Sequence, residues 1–300
     1  MSHKLQESNI ALVTGATGYI GSNLVRRLVS DHWCVHIIVR SSSNLEVLNP
    51  ILEKLVVHEH DGTTKNMIEI VFNACPDVIF HLASLFIVQH KSDDIESLIT
   101  SNILFSTQLA EAAAVHGVKK FINTSTSWQH FEQPGYLPVN LYASTKQAFE
   151  DILKYIADSS ELKVLSLVLF DTYGPGDFRP KLVSLLINSI KSQKVLEMSP
   201  GMQKIDIVYI DDVVNAFLKA SCYLDNSKDL FSRYAVSSGL PITLLDFVTL
   251  LETTLNVKLK INWGARPYRV REVMNTWQKF DLLPNWNPQV TLSEGLKKLV

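Results

Sequence analysis

Tyr142 and Lys146 stand one helical turn apart in Leu141-Tyr142-Ala143-Ser144-Thr145-Lys146, and the hydroxyl-rich run Asn123-Thr124-Ser125-Thr126-Ser127 precedes them. Those residue types can move a proton. A phenol is a poor acid or base near neutrality unless a neighbouring cation stabilises its phenolate. Lys146 supplies such a cation, and Thr126 can hydrogen-bond a carbonyl oxygen on which charge develops. A lone Tyr-x-x-x-Lys is common by chance and usually marks a surface pair. Its weight here comes from a glycine-punctuated turn far upstream, Thr14-Gly15-Ala16-Thr17-Gly18-Tyr19-Ile20-Gly21. Together they point to nicotinamide-dependent redox chemistry at a carbonyl or alcohol carbon.

The turn has the context such a fingerprint needs. Ile10–Thr14 reads as a short buried parallel strand, and Leu24, Val25, Leu28 and Val29 follow at helical spacing. Glycines allow the tight turn and let backbone N–H groups approach a pyrophosphate at the helix N-terminus. A second strand, Val35–Val39, should end beside the adenosine ribose. An acid there would accept the ribose 2′-OH of NAD. The chain instead has Arg40 and Ser41, which suit a 2′-phosphate, so NADPH is expected over NADH.

The alternation continues through Leu55–His58, then Asp61-Gly62 (placed to meet the adenine), and Val78–Leu82, then the small Ala83-Ser84. A long helix from about Asp93 to His116 carries Asn102, able to bridge to the cofactor-side backbone. Val118–Ser125 follows as a strand, Leu141–Ile156 as a helix with an apolar stripe at Phe149, Ile152, Leu153 and Ile156, and Val164–Phe170 as a sixth strand. The expected fold is α/β, a Rossmann-type doubly wound parallel sheet with a smaller C-terminal substrate-binding lobe. The dinucleotide-binding domain spans 1–172 with a returning segment around 205–237, and the lobe takes 173–204 and 238–300. In the lobe, helices are expected at Leu182–Ile190, from Asp211 and Asp212 onward, at Leu244–Leu255 and at Leu292–Leu299, with an extended Lys258–Trp263. Asp211-Asp212 reads as a helix cap rather than a metal pair.

Composition narrows the class. The 300 residues carry 28 basic and 30 acidic side chains, which gives no broad attraction for nucleic acid or an anionic membrane. No apolar run reaches membrane-spanning length, and Met1–Ser8 is polar without a signal-peptide core. Cys34, Cys75 and Cys222 are dispersed, which favours a reducing, cytoplasmic setting. His58-x-His60 lacks a third ligand, and no metal is expected.

In Thr14–Gly21, His81-Leu82-Ala83, Thr124–Thr126, Tyr142-x-x-x-Lys146, Tyr173-Gly174-Pro175 and Val208–Val213 the chain resembles extended short-chain dehydrogenase/reductases of the NAD-dependent epimerase/dehydratase group. These act mostly on nucleotide sugars. The resemblance implies that Thr126 meets the carbonyl, Tyr142 is the acid/base and Lys146 anchors the nicotinamide ribose. It implies a cofactor-lining set of Gly15, Thr17, Gly18, Tyr19, Ile20, Gly21, Leu82, Ala83, Ser84, Thr124, Phe170 and Thr172, besides Arg40, Ser41, Asp61, Gly62 and Asn102. Ser84, Phe86, Thr126, Asp171, Arg179, Lys181 and Arg266 are the implied substrate contacts, Arg266 first, beside the diphosphate; Arg269 is a further candidate phosphate contact. A homodimer through the two long helices is likewise implied.

Within the group the chain is most similar to CDP-abequose/CDP-paratose synthase-type reductases. It departs from the group in three places. Ser127-Trp128 stands where dehydratases have an Asp-Glu pair, which disfavours dehydration. Asp171 replaces an asparagine that contacts the diphosphate, so it should point elsewhere or pair with Arg179 or Arg266. The loop before Tyr142 is short. The expected activity is reduction by NADPH of the C4 ketone of a 4-keto-6-deoxy nucleotide sugar, CDP-linked. The alternatives are a 4-epimerase with tightly held NAD, a reductase of phenolic or steroid-like ketones, and a non-catalytic NADPH-binding regulator.

Overall fold

Ile-Ala-Leu-Val-Thr has no polar face, and the chain buries it in mid-sheet. In the computed structural model, which describes residues 9–299, this is β1 (Ile10–Thr14); the polar Met1–Ser8 lies outside the described residues. It leads through α1 (Tyr19–Ser30), β2 (Cys34–Val39), β3 (Leu55–Glu59), α2 (Thr64–Ala74) and β4 (Val78–His81). Next come α3 (Ile95–Ile99), α4 (Phe105–Val115), β5 (Lys120–Thr126), α5 (Leu141–Ser159) and β6 (Lys163–Leu169). The later elements are β7 (Asp171–Tyr173), α6 (Leu182–Ser192), β8 (Leu196–Met198), β9 (Lys204–Ile205), β10 (Ile207–Tyr209) and α7 (Ile210–Asn226). The chain closes with β11 (Phe231–Val236), β12 (Ile242–Thr243), α8 (Leu244–Leu255), β13 (Ile261–Trp263) and α9 (Leu292–Lys297).

Seven parallel strands form the main sheet in the order β11-β6-β5-β4-β1-β2-β3. Parallel neighbours require crossovers, and the crossover helices cover both faces. Leu24 and Leu28 of α1 pack with Phe217 and Ala220 of α7 in one core. Met67 of α2, Leu109 of α4 and Phe149 and Leu153 of α5 fill the other. The strand order reverses between β1 and β4, so their C-terminal ends open a crevice, the usual ligand position in such sheets. The doubly wound fold expected from the sequence is the one observed.

The details differ at three points. The expected continuous helix from Asp93 to His116 is interrupted between α3 and α4 by a π-helical turn, Thr100–Leu104, which carries the fully buried Asn102. Such turns recur at functional sites. Secondly, the expected extended run Lys258–Trp263 narrows to β13, which pairs with β8 outside the main sheet. Thirdly, Asp212 does not cap its own helix. Its carboxylate accepts the backbone N–H groups of Gln289 and Val290, both at 3.0 Å, and so fastens the C-terminal segment to α7. His58 pairs with His36 at 2.9 Å and His60 with Asn66 at 3.2 Å. Among the described residues no cluster of three potential metal ligands occurs and no helix is long and apolar enough to cross a membrane.

Candidate active site

The glycine turn is sterically obligatory. Gly15 has φ +70, and a Cβ there would come within 2.6 Å of the Ala83 nitrogen; one at Gly21 would run into the Gly15 carbonyl oxygen. Helix α1 starts at Gly18 with no side-chain cap, leaving the first-turn N–H groups of Tyr19, Ile20 and Gly21 facing the crevice. That open cradle fits a dinucleotide pyrophosphate. Around it the strand ends are knitted together by short side chains. Thr14 Oγ1 lies 2.8 Å from His81 Nδ1 and accepts the Ala83 N–H at 3.2 Å. The Thr124 hydroxyl donates to the His81 carbonyl at 2.8 Å. His81 is fully buried, which holds its imidazole well below the usual histidine range; the Lys146 charge adds to this.

Tyr142 and Lys146 lie on the buried face of α5, 8 % and 1 % exposed. The helix enters at Asn140, whose Oδ1 accepts the Ala143 N–H at 3.0 Å while its Nδ2 donates to the Val88 carbonyl at 3.0 Å. Asn102 adds a second tie: its Oδ1 accepts from Leu85 N at 2.7 Å, and its Nδ2 donates to the Leu85 carbonyl and to Thr145 Oγ1, each at 3.0 Å. With its amide so engaged, Asn102 reaches the cofactor side through the Ser84–Phe86 backbone rather than directly. Burial pushes the Tyr142 phenol up to about 12, with the Ser84 hydroxyl working in the other direction. Burial also lowers the Lys146 ammonium to about 8, opposed by the Glu150 carboxylate. The Lys146 ammonium makes no hydrogen bond or ion pair among the described residues. Thr126 ends β5, its Oγ1 accepting the Trp128 N–H at 3.3 Å.

Beyond Tyr142 opens a cavity of about 1130 Å³. Phe86 marks the boundary, its ring 4.9 Å from that of Tyr142, edge to face, and 5.5 Å from Trp128. Two cations stand over this pair: Lys181 Nζ at 3.7 Å from the Phe86 ring centre and the Arg269 guanidinium at 5.6 Å from Trp128. Burial lowers the Lys181 ammonium, and Asp171 opposes the shift. Asp171 pairs with neither Arg179 nor Arg266, contrary to one expected arrangement; the cations whose charge it favours are Lys181 and Arg269. Arg179 is held by Asp177 at 2.8 Å and by the Thr172 carbonyl at 3.0 Å, and it lies over the Tyr19 ring. Arg266 lies at the cavity rim, 69 % exposed and 3.9 Å from Glu197.

The model of the NAD dependent epimerase/dehydratase family matches residues 11–230. The chain belongs to that family. It is 25 % identical over 297 residues to CDP-abequose synthase of Salmonella muenchen, covering 96 % of each chain. It is 28 % identical over 309 residues to UDP-glucose 4-epimerase of Mycolicibacterium smegmatis, again covering 96 % of both. The crystal structure of UDP-glucose 4-epimerase from Thermotoga maritima with UDP-glucose superimposes with a TM-score of 0.83 at 26 % identity, over 96 % of each chain. As a family member the protein is a nucleotide-sugar-modifying oxidoreductase that works on sugar hydroxyl or keto groups with a nicotinamide dinucleotide.

Against that family frame, the expected residues fall into two groups. Gly15, Gly18, Gly21, Leu82, Ala83, Ser84 and Thr124 surround the crevice with Thr126, Tyr142 and Lys146. Thr17 and Ile20 lie in the same turn, and the Tyr19 side chain turns away to donate to the Pro175 carbonyl at 3.2 Å. Arg40 and Ser41 are exposed after β2. Thr63 donates twice to one oxygen of the exposed Asp61 carboxylate, the Asp61 N–H donates to Asn66, and the Gly62 carbonyl accepts from Gln108, so the second carboxylate oxygen is the group left open. Phe170 lines the cavity instead, stacked with Trp277 at 6.5 Å. Sequence reasoning missed Trp277, Gln129, His130, Glu150 and Arg233, whereas Arg269, a candidate phosphate contact, does line the cavity. Only Glu150 carried a signal, one turn beyond Lys146 on the buried face of α5.

Proposed function

We propose that the protein reduces the C4 ketone of a 4-keto-6-deoxy nucleotide sugar, CDP-linked, with NADPH. The observation that carries this reading is the wall between Tyr142 and the cavity. It is built from Phe86 and Trp128, and Ser127-Trp128 puts no carboxylate after Thr126. An aromatic wall suits a C6 methyl group, and without an acid/base pair there a sugar cannot be dehydrated across C5 and C6. A bound nicotinamide supplies the hydride to the sugar C4. Tyr142, a phenol protonated at neutral pH and held more firmly so by burial, gives its proton to the forming alkoxide. Thr126 hydrogen-bonds that oxygen, and the Lys146 charge stabilises the phenolate left behind until it is reprotonated. Lys181 and Arg266 hold the diphosphate, and the CDP-abequose synthase relative supports the cytidine. Arg40 supports NADPH over NAD.

The second reading is a UDP-sugar 4-epimerase with tightly held NAD, favoured by the likeness to the Mycolicibacterium and Thermotoga epimerases. The two part on cofactor turnover. Purified protein is mixed with NADPH and a panel of CDP-, UDP- and dTDP-linked 4-keto-6-deoxy sugars, and absorbance is followed. Consumption of NADPH with the CDP sugar supports the reductase; stoichiometric NAD retained through purification with none consumed sinks it. The outward Ile95, Ile99 and Tyr155 of α3 and α5, 44 %, 40 % and 71 % exposed, support a homodimer formed by these helices. Sedimentation at the monomer mass would refute that pairing.

A further inference from the structure

Glu150 is 1 % exposed and sits one turn beyond Lys146 on α5, so both charges are inside the protein. A buried carboxylate requires partners. Glu150 Oε2 accepts from Gln129 Nε2 at 2.7 Å and lies 3.5 Å from Arg233 Nε, whereas its Oε1 has no hydrogen-bond partner. Gln129, fully buried in the turn after β5, uses every valence of its amide. Its Nε2 donates to Glu150 and, at 2.8 Å, to Gln147 Oε1. Its Oε1 accepts from the Ser125 hydroxyl at 2.6 Å and from Arg233 at 3.1 Å. Because arginine only donates and an ionised carboxylate only accepts, the amide can sit one way round.

The same logic settles His130. Its Nδ1 meets the Gly135 carbonyl at 2.9 Å and its Nε2 meets Arg233 at 3.0 Å, so the proton is on Nδ1 and the ring is neutral. Neither His130 nor Gln129 is therefore free to answer a change of charge. Gln129 joins Ser125, the neighbour of Thr126, to the residues flanking Lys146 along α5.

We propose that Glu150 is a positioning residue for the reaction: through Gln129 it sets the Thr126 turn against the helix bearing Tyr142 and Lys146, and its carboxylate keeps the Lys146 ammonium charged. Facing Lys146 are Tyr142 and Glu150 from its own helix and His81 from β4; facing Glu150 are Arg233 from β11, His130 from the turn after β5, and Lys146. Of the groups facing Lys146, Glu150 is the carboxylate, and His81 is held neutral by burial. The balance at Lys146 is thus set by burial on one side and Glu150 on the other.

The proposal uses the reductase reading only for its turnover readout. Wild type and Glu150→Gln are compared in kcat, KM and the alkaline limb of kcat/KM with a CDP-linked 4-keto-6-deoxy sugar, and in the pH dependence of NADPH binding by cofactor fluorescence. The expected result is a kcat lower by on the order of tenfold to a hundredfold with KM within about twofold. The alkaline limb and the NADPH midpoint both move about one unit to lower pH. Glu150→Asp keeps the wild-type limb, and Gln129→Leu lowers kcat without moving it. A limb and midpoint unmoved in Glu150→Gln overturn the proposal, whatever happens to kcat. If Glu150→Gln gives no folded protein by circular dichroism, Arg233→Met carries the test with the opposite sign. Removing the competing cation moves the limb to higher pH, and an unmoved limb again overturns the idea. If wild type turns over no sugar, the reductase reading falls, and the NADPH midpoint still decides the role of Glu150.

Discussion

At the crevice under α1, ligand-facing positions are backbone atoms and short side chains fixed by neighbouring strands: Gly15 against Ala83, Thr14 against His81, Thr124 against the His81 carbonyl. Across Phe86, the cavity is walled by long side chains from irregular segments. Lys181 rests on Phe86, Arg269 on Trp128 and on Glu272, and Arg179 on Asp177 and Tyr19. Backbone against backbone tolerates almost no change of residue, because nothing can move aside. Cations on aromatic rings can be exchanged for other pairs without disturbing the sheet. One half of the site is therefore fixed by its backbone, and the other is open to change of side chain. Tyr142 touches both.

Breaking the junction should have the largest effect. Tyr142→Phe removes the proton donor and lowers single-turnover NADPH oxidation by about a hundredfold to ten-thousandfold, with cofactor affinity retained because the phenol is not part of the glycine cradle. An unchanged rate would remove Tyr142 from the reaction. On the crevice side, Gly21→Ala drives a methyl into the Gly15 carbonyl oxygen. Such overpacking costs about 1–3 kcal/mol, so the thermal midpoint and NADPH affinity should fall together. Loss of neither would mean that the turn is looser than its geometry requires.

On the cavity side the effect should be smaller and of another kind. Lys181→Met removes a desolvated cation from above Phe86. A hydrogen bond to a charged group contributes about 1.5–3 kcal/mol, so KM for the nucleotide sugar should rise about tenfold or more, with kcat and the thermal midpoint nearly unchanged. A fall in stability instead of affinity would mean that Lys181 is a structural brace and would erase the contrast between the two halves.

This contrast also explains what could be read from the sequence. Crevice residues are constrained by local stereochemistry, and that leaves marks: a left-handed Gly15, a Gly21 with no room for Cβ, Tyr142 and Lys146 at helical spacing. Cavity residues meet through tertiary packing alone. Nothing near Trp277 in sequence announces that it stacks on His130 at 3.9 Å. Nor does the stretch before Tyr142 announce that Arg271 holds it by the Pro138 carbonyl at 2.8 Å. The partners of Asp171 are hidden for the same reason: Arg179 has a nearer acid in Asp177, and the cations whose charge Asp171 favours are Lys181 and Arg269. The π turn at Thr100–Leu104 was equally silent, since its apolar pattern differs from that of an uninterrupted helix by one residue.

The smallest expected effect separates the sheet from the cavity by pH. His36 and His58 stack on β2 and β3 with nitrogens 2.9 Å apart, and burial holds both below the ordinary histidine value, His58 adding to the shift at His36. His81 is shifted the same way. Above about pH 6.5 these groups are neutral folded or unfolded and leave stability unaffected. As pH falls below that value the unfolded chain takes up protons that the folded sheet refuses, so stability declines. The carboxylates whose affinity for protons is lowered on folding, Asp61, Glu161 and Glu294, stabilise the fold above their unfolded values and lose that contribution only as pH falls below 4.5. Between pH 5 and 6.5 the loss thus belongs to histidine. Urea unfolding should give a lower midpoint at pH 5 than at pH 7.5, and His58→Phe, which keeps a ring against His36, should flatten that dependence. His130, on the cavity side, is also held low by burial but sits outside the sheet. If His130→Phe flattened the profile more than His58→Phe, the pH-sensitive part of the molecule would be the cavity wall rather than the strands.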